Sequence, residues 1–159
     1  MRARVLTCLL IAAALFSCRQ EKDKPFMDGE RIMVAEDIIY DVIIKIPDTG
    51  DPWEVERLEG YSGDRMISEL FNAVYTEKIT AYDYHSGRKL SASDVRKAEM
   101  QTGFERNNIG KIQFTENWYY NTASMDIEKE IISLVLGYEN RDIDGTLIGY
   151  EAVFKLEFK

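Results

Sequence analysis

Asn140, Asp142, Asp144 and Glu151 stand at the first, third, fifth and twelfth places of a stretch whose sixth place is Gly145. That spacing nearly fits the calcium loop of a helix–loop–helix, where oxygens at alternating places converge on one ion and the glycine makes a sharp turn. Asn140 in place of an acid removes one charge. The exit side opposes the fit, because the residues from Tyr150 onward alternate as a strand does, where a calcium loop runs into a helix. Asp144-Gly145 is also a strong turn dipeptide, so a polar hairpin accounts for the same residues. No metal and no cofactor is assigned; a calcium-dependent binding module on the envelope is kept as the alternative function.

Other chemistries lack parts. His85 is the one histidine, so a multi-histidine zinc site cannot be assembled, and no cysteine is free to help. A Ser-His-Asp set would have to form around Tyr82-Asp83-Tyr84-His85-Ser86-Gly87, which reads as a turn, and no serine sits in a nucleophile elbow. Glu128 and Glu130 would share a strand face, as glycosidase carboxylates can. Lys129 between them and the acidity of the chain describe a solvated face instead. There is no glycine-rich phosphate loop. The chain is read as a non-enzyme.

The N-terminus carries a different chemistry. Met1-Arg2-Ala3-Arg4 is basic, Val5 to Phe16 is apolar apart from Thr7 and Cys8, and Arg19 to Lys24 is wholly polar. This is the pattern of a secretory signal, too short to span a bilayer, which takes about 20 apolar residues. Leu15-Phe16-Ser17-Cys18 resembles a bacterial lipobox, which would make residues 1–17 the signal peptide and Cys18 the acylated first residue. Cys8 leaves with the signal, so Cys18 has no disulfide partner, and a lone thiol in an oxidising compartment makes sense as the lipid attachment site. Residues 18–31 then form the anchor and a flexible tether, and 32–159 a single domain. Removing residues 1–17 takes two of the 20 basic side chains and none of the 28 acidic ones, leaving a balance of −10. Such a surface repels phosphate backbones, so nucleic acid is not expected as a partner and the membrane is reached through the acyl anchor only.

Alternation and helical spacing mark the elements of the domain. Ile38, Tyr40, Val42, Ile44 and Ile46 fall on one face of a strand, with Asp41 and Lys45 opposite, and Pro47 to Pro52 close it with a loop. Met66, Ile67, Leu70, Phe71 and Val74 make an amphipathic helix over 64–76 with Ser62 as a cap. Ser91 and Asp94 form a capping-box pair before a second helix over 95–102. Ile112, Phe114, Trp118 and Tyr120 share a strand face, as do Ile148, Tyr150, Ala152, Phe154, Leu156 and Phe158. Met125 to Tyr138 fits either a helix capped by Ser124 or a strand; β-branched content and the turn Asn121-Thr122-Ala123-Ser124 favour a hairpin. Trp118, Tyr120 and Phe154 are expected in the core. Tyr119, with Asn117, is expected on the outer face, where an aromatic hydroxyl suits a protein contact.

Several of these residues resemble the GldN/PorN family of Bacteroidota gliding motility and type IX secretion. Ile79-Thr80-Ala81-Tyr82-Asp83 after an amphipathic helix looks like that family's ITAYD element. Glu116-Asn117-Trp118-Tyr119-Tyr120, Ser124-Met125-Asp126-Ile127, and Asp144-Gly145, Gly149-Tyr150 and Phe154 follow in the family's order, covering about residues 60–158. The resemblance implies an α+β domain, with an antiparallel sheet of about four strands, two helices inserted after the first strand, and a hairpin at 114–138. It also implies a structural subunit of a periplasmic assembly, with other envelope proteins as partners: a lipoprotein ring partner, or copies of itself. Tyr82, Asp83, Tyr84, Asn117 and Tyr119 become the contact candidates. Cys18 departs from the family's soluble members and places the chain at the outer membrane on its periplasmic side. The charged cluster after Cys18 also resembles surface-export signals.

Overall fold

A computed structural model describes residues 27–28, 30–46 and 52–158. The signal peptide, Cys18, most of the tether and residues 47–51 of the proline loop lie outside the described residues. Seven strands form one antiparallel sheet in the order β1-β2-β5-β6-β7-β3-β4. Four of them are long: β2 (Arg31–Ile43), β5 (Ile109–Asn121), β6 (Asp126–Arg141) and β7 (Leu147–Phe158). The others are β1 (Met27–Asp28), β3 (Ile79–Asp83) and β4 (Lys89–Leu90). The helices are α1 (Pro52–Arg57), α2 (Gly63–Tyr75) and α3 (Ala92–Glu99).

The α+β class with an antiparallel sheet is therefore present, and its finer plan is corrected. The long strands number four, but β3 and two two-residue strands widen the sheet. Only α1 and α2 follow the first long strand; β3 and β4 separate them from α3. That first strand begins at Arg31 rather than Ile38, and β1 falls within the stretch assigned to the tether. Pro52 opens a helix, as proline can at a first helical position. Tyr82 and Asp83 end a strand, so the turn starts at Tyr84.

One face of the sheet is dry where the helices cover it. Ile67, Phe71 and Val74 of α2 and Val95 of α3 pack on Ile79, Ala81, Ile112, Leu134, Leu136, Phe154 and Leu156, all buried. The helical spacing of α2 puts its three buried residues on one stripe. Ser62 occupies its cap position without a side-chain hydrogen bond. In α3 the capping box is complete: the Asp94 N–H donates to Ser91 Oγ at 3.1 Å and the Ser91 N–H to Asp94 Oδ2 at 3.0 Å. Phe71 meets Phe154 and Phe104 edge-on at centroid distances of 6.0 and 6.4 Å.

The other face is open, as antiparallel sheets allow. One of its rows runs Asp41, Gln113, Val135, Lys155, Tyr82 across five strands. Lys111 and Gln113 donate to Asp41, both at 2.9 Å, holding its carboxyl below the usual range. Along β7 the expected single face breaks at a register shift against β6 between Val135 and Gly137. Phe154 and Leu156 stay in the core, while Tyr150 turns to the open face opposite Glu139. There its ring lies over Gly110, where a Cβ would come within 2.9 Å of it.

Candidate functional site

The helices cover only part of the inner face. Beyond Phe114 the β5–β6 hairpin and the first half of β2 continue as a three-stranded arm, whose residues do not join the helix-packed core. The stretch Phe114 to Tyr138 is this hairpin. Asn121 makes its turn: its side-chain Oδ1 accepts from Ala123 and Ser124 N–H at 3.0 and 3.2 Å, and its carbonyl accepts from Met125 N–H at 2.9 Å. Asn at such a turn start is the expected local chemistry.

On the inner side of the arm sits a buried carboxylate. Glu116 is 4% exposed; it accepts from the Tyr40 hydroxyl at 2.6 Å and from Trp118 Nε1 at 2.9 Å, with Lys129 Nζ at 3.9 Å. The Lys129 ammonium also stands 4.4 Å over the Trp118 ring. Burial, and then the hydrogen bond and charge of Glu116, push the Tyr40 hydroxyl up to about 12. Around this centre lies apolar surface. Ile127 opposite Tyr120 and Ile131 opposite Glu116 are 62% and 38% exposed, and Met125 at the turn is 71% exposed.

On the outer side, Tyr119 reverses an expectation. It is the buried member of the three aromatics, at 7% exposure, while Trp118 and Tyr120 are half-buried. The alternation itself is as read: Trp118 and Tyr120 share the side of Phe114, and Tyr119 the side of Asn117. What differs is the cover. No described helix reaches Trp118 or Tyr120, whereas the Arg31 guanidinium lies 4.1 Å over the Tyr119 ring. Arg31 is fixed by Glu128 at 2.9 Å, and the Tyr119 hydroxyl donates to Glu130 at 2.8 Å. That bond to a carboxylate, more than its burial, raises the Tyr119 hydroxyl above its ordinary value. Glu128 and Glu130 are thus spent on Arg31, Asn121 and Tyr119.

The other contact candidates do not join this place. Asn117 accepts the Asp37 N–H at 3.0 Å, bracing a bulge in β2 where Asp37 has φ 51°. Tyr82 lies in the row of Gln113, six positions along β5 from Tyr119, about 20 Å at strand spacing. Asp83 accepts from the N–H and hydroxyl of Ser86, which hold its carboxyl low, and Tyr84 packs edge-on against His85 in an exposed turn. The acidic loop is the β6–β7 turn: Asp142 Oδ1 accepts from the N–H of Asp144 at 3.0 Å and Thr146 at 2.8 Å, with Gly145 at φ 82°. Asn140 belongs to β6 and Glu151 to β7, so the loop exits into a strand. Among the described residues no three His, Cys, Asp or Glu side chains gather as metal ligands.

Glu116, Tyr40, Lys129 and Arg31 were not picked out as site residues from the sequence. Glu116 had a signal: it is an acid at the inward phase of Ile112, Phe114, Trp118 and Tyr120. A second buried carboxylate, Glu139, accepts from Lys45 Nζ at 3.0 Å and Arg141 at 2.8 Å and ties the β6–β7 turn to the end of β2. No helix of the described residues is long and apolar enough to cross a membrane. Set against known proteins, the chain matches no family model and no curated protein.

Proposed function

We propose that this chain is a non-enzymatic interaction subunit of a cell-envelope complex, held by an acylated Cys18 at the periplasmic side of the outer membrane. Its likeness in residue order to the GldN/PorN proteins makes a gliding or type IX secretion assembly the reference case. One observation supports the reading most: the inner face of the arm, where Ile127, Ile131 and Met125 stay exposed beside half-buried Trp118 and Tyr120. Exposed apolar surface gathered on one sheet face is costly to leave in water and marks a place where another protein packs. The aromatic and aliphatic mix with a single satisfied cation is the composition of an interface centre. The function of the fold on this reading is to hold that face rigid, through Glu116 within it and the Arg31–Tyr119 stack behind it.

Co-purification from detergent-solubilised envelopes tests this. Recovery of the tagged chain with a stoichiometric envelope partner is expected, and Ile127→Asp with Ile131→Asp should lose that partner while the chain stays folded. Recovery as a free monomer under the same conditions would refute the reading.

A further inference from the structure

The two edges of the sheet are unlike. At one, β4 is two residues long and pairs with β3 only at Ala81 and Tyr82, a short strand of the kind that blunts an edge. At the other, β2 runs 13 residues, and among the described residues it is paired on its outer side only at Arg31 and Ile32, by β1. The first part of the remaining edge is bent by register shifts between Met33 and Ala35 and between Ala35 and Ile38. Bulges of this type turn an edge away from chance pairing. Beyond them Ile38 to Ile43 pairs residue for residue with Glu116 and then Thr115 to Lys111 without interruption. This part is straight.

Its composition lacks the usual protection. Ile38-Ile39-Tyr40-Asp41-Val42-Ile43 contains no lysine and no proline, the residues that commonly guard an edge, and Ile39 is 61% exposed. The charges on β2 between Ile32 and Ile43 are Glu36, Asp37 and Asp41, with no base among them.

We propose that the Ile38–Ile43 edge of β2 receives an extended strand of another protein, apolar at alternate positions and basic between them. The proposal rests on the interaction reading above and supplies the chemistry of the partner. Outward backbone groups of a straight edge give a strand its hydrogen bonds, and side chains at alternate positions give it selectivity. Ile38, Tyr40 and Val42 on the inner face call for apolar or aromatic neighbours across the new pairing, and the open face carries Ile39 and Asp41. Asp41 is already bonded to Lys111 and Gln113, but with the exposed Glu36 and Asp37 just before the straight part it leaves this edge with an acidic balance, which favours bases. A second copy of this chain fits poorly, because its β2 offers no base between Ile32 and Ile43 to meet these acids.

The test uses the mature chain with two synthetic peptides, one alternating lysine with valine and one alternating glutamate with valine. Binding is followed by fluorescence anisotropy and mapped by amide hydrogen exchange. The lysine peptide should bind more tightly, lose affinity as salt rises, and slow exchange of outward amides between Ile38 and Ile43. Ile39→Lys should weaken it by roughly fivefold or more through like-charge opposition, with Ile39→Val unchanged. Equal binding of both peptides, protection elsewhere in the chain, or protection of β2 that rises with protein concentration alone would each overturn the proposal. In envelope co-purification, an Ile39→Lys chain that keeps its partner overturns the edge inference and leaves the interaction reading standing. Absence of a partner for the unaltered chain overturns that reading instead.

Discussion

Replacing Glu116 separates a carboxylate that organises the arm from one merely caught in it. Its side chain is 5% exposed and receives the Tyr40 hydroxyl at 2.6 Å and Trp118 Nε1 at 2.9 Å. A hydrogen bond to a charged group contributes about 1.5–3 kcal/mol. Tyr40 and Trp118 are half-buried, so water can reach their donors once the acceptor is gone, and the lower figure applies to each. The half-exposed Lys129 pair adds at most about 1 kcal/mol. Glu116→Ala is expected to cost about 3–4 kcal/mol, read in urea as a midpoint lowered by about 1–4 M for ordinary slopes. Glu116→Gln keeps the volume but can set an amide N–H against a donor, and should cost about 1–2 kcal/mol.

The same glutamine variant removes two of the three causes that raise the Tyr40 hydroxyl, leaving burial, the first of them. Its ultraviolet titration midpoint should fall from about 12 toward, without reaching, the ordinary 10.0. The sign for stability follows from a folded value above the unfolded one. The contribution is complete below pH 10.0 and is lost as pH rises to about 12. The stability gap between the unaltered chain and Glu116→Gln should therefore be widest below that window and narrow across it. A Glu116→Ala chain as stable as the original, with an unmoved Tyr40 midpoint in Glu116→Gln, would refute the organising role.

Three further outcomes are expected. Tyr119→Ala should cost about 3–5 kcal/mol, as truncating a buried aromatic does, and more than Tyr120→Ala; equal losses in chemical denaturation would count against the Arg31 stack. Gly110→Ala should destabilise by about 1–3 kcal/mol, because its Cβ would stand 2.9 Å from the Tyr150 ring and 3.0 Å from the Glu139 side chain; a thermal melt at or above the original would contradict this. Cys18→Ser should move the protein from the membrane to the soluble fraction, and persistent membrane association of that variant would mean the anchor lies elsewhere.

Much of the fold was legible because its signals are local. Helical spacing from Met66 to Val74 and the Ser91–Asp94 box act between residues a turn apart, and both produce helices, the second over Ala92–Glu99, starting and ending earlier than the expected 95–102. Strand alternation at Ile112 to Tyr120 likewise assigns sides correctly. What alternation lacks is any record of cover. Burial depends on what lies above a face, and that is set by where α2 and α3 come to rest after β3 has paired with β7, a contact between residues some 75 positions apart such as Ala81 and Leu156. Trp118 and Tyr120 point the expected way and find no helix there. Tyr119 points to the open face and is closed over by Arg31, a residue that reads as tether because residues 19–31 carry alternating charge, one Pro, one Gly and no apolar period. Bulges hide from the sequence for a related reason: Asp37, out of the ladder, gives its N–H to Asn117, 80 residues away.

The two buried carboxylates fasten strands that the helices leave uncovered. A glutamate at an inward phase would ordinarily be an error of pattern, since burying a charge without partners is costly. Glu116 instead collects a phenol from β2, an indole from its own strand and an ammonium from β6, and Glu139 collects cations from the end of β2 and from β6. Each thereby fastens strands at a place the helices do not cover. An apolar core alone would leave both ends of so long a hairpin to flex against β2. Charge-assisted bonds can hold them in register without adding apolar surface, and the exposed isoleucines of the arm then sit on a stiffened sheet, as the proposed interaction would require.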